Sequence, residues 1–93
     1  MSGDPQVWRV EMSATALRSL DRLSAKVAVA VVEFVTVVLP GNPRRMSQPL
    51  RYELEGLRVA RRGDYRVTSV IDEDDHALRI GRIEHRAHIY MAR

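Results

Sequence analysis

The run from Val27 to Leu39 (VAVAVVEFVTVVL) constrains the fold more than any other part of the chain. Its valines and phenylalanine would suit a buried strand. Counted from Ala25 to about Val38, however, the segment spans about fourteen residues, long for a strand and ordinary for a helix. Glu33 interrupts it, and it is too short to cross a bilayer. The expectation is a helix capped by Ser24 and ended by Pro40, Gly41 and Pro43. Ser13 is placed to cap an earlier helix through Leu23, with Leu17, Leu20 and Leu23 on or near one side. Two helices with almost no linker read as an antiparallel hairpin lying on one face of a sheet.

The strands for that sheet flank the hairpin. Val7 to Met12 alternates apolar and polar residues. Residues 44–51 (RRMSQPLR) read as a basic connection. Three strand-like runs follow, Gly56 to Arg62, Tyr65 to Ile71 and Leu78 to His85, separated by Gly63-Asp64 and by the acidic turn Asp72 to Asp75. The chain closes on AHIYMAR, read as a tail of one or two helical turns. The fold class is therefore α+β: an N-terminal strand, a helical hairpin on one face of a mostly antiparallel four-stranded sheet, and a short tail. A chain of 93 residues suits one domain, 1–93. The absence of cysteine removes disulfides and thiolate metal sites. MSGDPQVWRVEM lacks a basic segment followed by an apolar one, so a cytoplasmic protein with no membrane segment is expected.

The net charge of +3 and pI near 9.9 matter less than where the charges sit. Residues 1–43 balance to zero. Residues 44–66 hold seven arginines (Arg44, Arg45, Arg51, Arg58, Arg61, Arg62, Arg66) against Glu53, Glu55 and Asp64. Residues 67–78 carry only Asp72, Glu73, Asp74 and Asp75; residues 79–93 carry four arginines against Glu84. Two basic blocks on adjacent strands make one basic face, the footprint of a polyanion partner. Lys26 is the lone lysine; arginine suits bidentate phosphate contacts and stacking on bases.

No phosphate-cradling loop, dinucleotide fingerprint, zinc spacing or serine elbow occurs. The acidic turn lacks the glycine and terminal glutamate of a calcium loop, so no metal and no cofactor are expected. Strand alternation puts Val59 and Arg61 on one face and Arg58, Ala60 and Arg62 on the other. It sets Tyr65, Val67, Ser69 and Ile71 opposite Arg66, Thr68 and Val70. A meander brings His85, Arg86 and Tyr90 beside the hairpin that carries Arg61 and Arg66. Such a cluster supplies what metal-free RNA cleavage needs. Guanidinium groups stabilise charge on the phosphoryl oxygens as a ribose 2′-hydroxyl attacks phosphorus. Arginine, with a pKa above about 12, does not take the proton. That leaves His85 (reference near 6.5) or Tyr90 (reference near 10) as the base. Arg44, Arg45, Arg51, Arg58 and Arg62 are expected to attract RNA phosphates.

At these residues the sequence resembles the RelE/ParE toxin superfamily, especially its actinobacterial RelE-like toxins. The carriers are Pro49-Leu50-Arg51, Leu54-Glu55-Gly56, Ala60-Arg61-Arg62-Gly63-Asp64-Tyr65-Arg66-Val67, Ile71-Asp72 and His85-Arg86-Ala87-His88-Ile89-Tyr90. The resemblance covers nearly the whole chain. It implies a ribosome-dependent endoribonuclease that cuts mRNA in the ribosomal A site and is held inactive by a cognate, RelB-like antitoxin in a hetero-oligomer. It implies that Arg66 stabilises the scissile phosphate, that Arg61 is the second basic residue of the preceding strand, and that Tyr90 takes part in proton transfer with Arg86 just before it. Val59 and Glu84 depart from the family pattern, standing where the type member has a lysine and a catalytic arginine. Two other readings stand beside this one: a ParE-like inhibitor of DNA gyrase without nuclease activity, and a non-catalytic basic RNA-binding module. The antitoxin is expected to lie on the helices and sheet and to cover arginines with acidic groups.

Overall fold

A computed structural model describes residues 8–50 and 56–85. The order is β1 (Arg9–Met12), α1 (Ala14–Asp21), α2 (Ala25–Glu33), a π-helical turn (Phe34–Val38), α3 (Leu39–Gly41), α4 (Pro43–Met46), β2 (Gln48–Pro49), β3 (Arg58–Arg62), β4 (Tyr65–Asp72) and β5 (Ala77–His85). The strands form one sheet, ordered β1-β5-β4-β3-β2. β1 runs parallel to β5 and every other pairing is antiparallel. Among the described residues the sheet therefore has five strands, where four were expected. The extra one is the edge pair Gln48-Pro49 on Val59 and Arg58. Two residues ending in proline carry no strand signature, and proline is tolerated there because an edge strand has one side without a ladder.

Both serine caps form as the sequence suggests. Ser13 Oγ accepts from the Ala16 amide and Ser24 Oγ from the Val27 amide. Pro40, however, does not end the long helix. A proline there offers no N–H and its ring crowds the carbonyl one turn back. The turn before it widens, and the Leu39 amide reaches the Phe34 carbonyl five residues away, a π-bulge that lets the helical path continue to Gly41. After Asn42, which caps α4 by accepting from the Arg45 amide, Pro43 to Met46 make a short helix at the start of the expected basic connection.

Val31, Phe34, Val35 and Leu39 recur at helical spacing and are all buried. They meet Ala60, Val67, Leu78, Ile80 and Ile83 from the sheet, with Ala16 from α1. The sheet's other side has no helix over it among the described residues.

One irregularity governs that open side. Thr68 pairs with Arg82 and Ser69 with Ile80, which leaves Gly81 as an extra residue in β5. Ser13 holds this bulge: its amide donates to the Ile80 carbonyl at 2.9 Å and its hydroxyl donates to the Gly81 carbonyl at 2.8 Å. Without the extra residue, strict alternation would turn Arg82 and Glu84 toward the helices and Ile83 away from them. With it, Ile83 is buried and the two charged residues face outward.

Candidate nucleic-acid interface

Residues directly opposite one another in an antiparallel ladder project from the same side of the sheet. Arg61 pairs with Arg66 and Arg66 with Glu84; Val59 pairs with Thr68 and Thr68 with Arg82. The open face at this end of the meander thus gathers Arg61, Arg66, Arg82 and Glu84. Like charges directly across a ladder repel, and the Arg61–Arg66 pair is such a case. Glu84, next across on β5, offsets it. Arg66 Nε donates to Glu84 Oε1 at 3.0 Å, and Arg82 Nη1 lies 3.8 Å from Glu84 Oε2.

The alternate positions face the helices. Arg62 pairs with Tyr65, and Tyr65 with His85. The Arg62 guanidinium carbon lies 5.1 Å from the Phe34 ring centre, a cation–π contact. Tyr65 meets the same ring edge-on at 6.4 Å. Burial pushes the Tyr65 phenol above its ordinary value of 10.0, with the Arg62 charge offsetting part of the rise. His85 is brought beside the hairpin as expected, yet on the face opposite Arg66.

The flanking arginines divide by what they touch. Arg58 Nε donates to Ser47 Oγ at 2.9 Å, and its Nη2 reaches the Arg44 and Ser47 carbonyls, closing the end of α4. Arg44 is ion-paired with Glu73 in the β4–β5 turn. Arg45 lines a cavity of ≈ 230 Å³ with Met46, Ser47, Gln48, Val59 and Arg61, so Val59 stands in the wall next to Arg61. Arg51, Arg86 and Tyr90 lie outside the described residues.

The acidic turn at the opposite end of the sheet is bound up in ion pairs. Arg79 contacts Asp72 at 2.7 Å, Asp75 at 2.9 Å and also Glu11. The Arg79 hydrogen bond, aided by the Asp75 amide, holds the Asp72 carboxyl below its ordinary value of 3.8. His76 in the same turn has a positive φ of 49° and stacks on Trp8 at 3.9 Å.

Sequence reasoning missed Arg82 and the pairing of Glu84 with Arg66. The available signal was Gly81, since a lone glycine within a strand pattern marks a bulge, and a bulge changes which residues share a face.

The family model for the "ParE toxin of type II toxin-antitoxin system, parDE" matches residues 10–90. The chain is 48% identical over 87 residues to Toxin RelE of Mycobacterium tuberculosis, covering 94% of this chain and 90% of that one. It is 42% identical to Toxin RelG of the same organism, covering 89% and 95%. Among solved structures, a chain of the M. tuberculosis toxin–antitoxin complex RelBE2 superimposes with a TM-score of 0.82 at 41% identity, covering 86% of this chain and 92% of that one.

Proposed function

Since this chain belongs to the RelE/ParE family of type II toxin–antitoxin toxins, we propose that it is a metal-independent endoribonuclease that cleaves mRNA in the A site of the ribosome, acting as one domain. The observation that carries this reading is the Arg61–Arg66 cross-strand pair on the open sheet face. Two cations held side by side on rigid strands are poorly explained by stability and well matched to a phosphodiester.

In the reaction the ribose 2′-oxygen bonds to phosphorus and the bond from phosphorus to the 5′-oxygen breaks. The products are a 2′,3′-cyclic phosphate and a 5′-hydroxyl. Arg61 and Arg66 stabilise the charge that builds on the non-bridging oxygens. The 2′-hydroxyl proton passes to Tyr90 and a proton is returned to the 5′-oxygen, while His85, on the face opposite Arg66, stays outside the reaction. Arg86 adds positive charge next to that step. Arg45 and Arg51 bind flanking phosphates, Arg62 packs on the Phe34 ring, and Arg44 and Arg58 contribute chiefly by holding α4 and β2 in place.

A reconstituted translation system tests the reading directly. The protein should cut translated mRNA, and Tyr90→Phe should weaken cutting sharply. Intact mRNA under conditions in which a control toxin cuts would overturn it.

The partner follows from the same membership. A chain related to this one is found in a toxin–antitoxin complex, and the helices leave Leu17, Val29, Val32 and Val37 exposed, an apolar surface that an antitoxin segment of RelB type would cover. A second reading, gyrase inhibition without cleavage, is favoured by the ParE description of the matching family. Gyrase-dependent DNA breaks on expression would support it.

A further inference from the structure

We propose that Arg82 is a third phosphate-binding residue, joining Arg61 and Arg66, and that Glu84 is the positioning residue that aligns Arg66 and Arg82. The proposal rests on the nuclease reading and deepens it.

The Gly81 bulge puts Arg82 and Glu84 on the same face as Arg61 and Arg66. Glu84 takes the Nε–H of Arg66 at 3.0 Å with one oxygen and approaches Arg82 Nη1 at 3.8 Å with the other. A guanidinium has five N–H donors in a fixed fork. Engaging Nε leaves the Nη1/Nη2 end of Arg66 available for a bidentate phosphate contact and fixes its plane. Arg82 is the more exposed partner, its side chain 61% accessible, so its remaining donors face solvent where RNA would lie.

The charges also fit. Among the described residues at this end of the face, three arginines and one carboxylate leave two positive charges. A phosphodiester carries one negative charge in the ground state, and a second develops on the phosphoryl oxygens as the 2′-oxygen attacks. A doubly positive site therefore favours the transition state over the substrate, which is the condition for accelerating the chemistry. Glu84 is accordingly part of the site, and Arg82 supplies a further cation from two residues earlier on the same face.

A carboxylate that merely dilutes positive charge predicts different behaviour, so Glu84→Ala and Glu84→Gln separate the two roles. Glutamine keeps an acceptor for Arg66 Nε but loses the charge. On programmed ribosomes Glu84→Ala should lower kcat about ten- to a hundredfold, the scale of a small misplacement of a reacting group, with KM unchanged or lower. Glu84→Gln should retain most of kcat. Arg82→Ala should lower kcat/KM about tenfold or more. Thermal melts should show all three variants folded. Equal kcat in the two Glu84 variants, or wild-type kcat/KM in Arg82→Ala, would overturn the proposal while leaving the nuclease reading intact. If the wild-type protein does not cleave, that reading fails, and binding of a 2′-O-methyl RNA oligonucleotide decides the matter. Arg82→Ala should then reduce the salt slope of binding by about 0.7, the value for one phosphate on a single strand, and an unchanged slope would overturn it.

Discussion

Arg66 shows how much one register position determines. It faces Arg61 on one side and Glu84 on the other, so its guanidinium is attracted and repelled along the same line and held. Its removal should slow cleavage on programmed ribosomes about 10²–10³-fold, as loss of an oxyanion donor does. Arg66→Lys should recover little of that rate, because an ammonium group cannot donate to Glu84 and offer a fork to phosphate together. Asp72 behaves differently, as a structural charge. Its pKa is depressed mainly by the Arg79 hydrogen bond, so the ion pair stabilises the fold above the unfolded-state value. That contribution is lost as pH falls through the lower folded-state value. Asp72→Asn should therefore melt below wild type near about pH 7, and the two melting curves should converge as pH drops below about 4. Parallel melting temperatures across that range would show the pair to be silent.

At the scale of elements, Ser13 joins two features usually treated apart. It caps α1 through an accepting hydroxyl and secures the Gly81 bulge by donating that hydroxyl's proton. Ser13→Ala should cost about 0.5–2 kcal/mol from the cap alone, read as a lower midpoint in urea. If the bulge relaxes as well, Arg82 and Glu84 lose their fixed aim and cleavage should fall further than stability accounts for. What the sequence revealed follows the same division. The caps at Ser13 and Ser24, the long helix and the three meander strands were legible because each depends on local chemistry or periodicity. The placement of Arg61 and Arg66 on one hairpin was legible too, whereas their shared face depends on the register across the Gly63-Asp64 turn. The π-bulge before Pro40 was not legible, because proline normally stops a helix and only the widened turn permits otherwise. The strand Gln48-Pro49 was too short to show a period. The partnership of Glu84 with Arg66 was hidden because one extra residue, Gly81, exchanges the faces of everything beyond it.

Across the whole molecule, the modest net charge is unevenly arranged on the open sheet face. At the end that carries the β4–β5 turn, Arg79 is enclosed by Glu11, Asp72 and Asp75, and Arg44 on α4 is tied to Glu73 of that turn. Those cations are already compensated and contribute cohesion. At the other end, Arg66 and Arg82 share Glu84 and Arg61 has no carboxylate partner among the described residues. An RNA strand should therefore be attracted to one end of the sheet and not to a uniform basic coat. The salt dependence of RNA binding distinguishes these cases, since each neutralised phosphate adds about 0.7 to the slope on a single strand. Removing Arg61, Arg66 or Arg82 singly should lower the slope by about that amount. Arg79→Ala and Arg44→Ala should leave it unchanged, although Arg79→Ala should lower the melting temperature by releasing three carboxylates from one partner. Similar slope changes at both ends would mean that total charge governs binding, and that the bulge, the cross-strand arginine pair and Glu84 serve the fold alone.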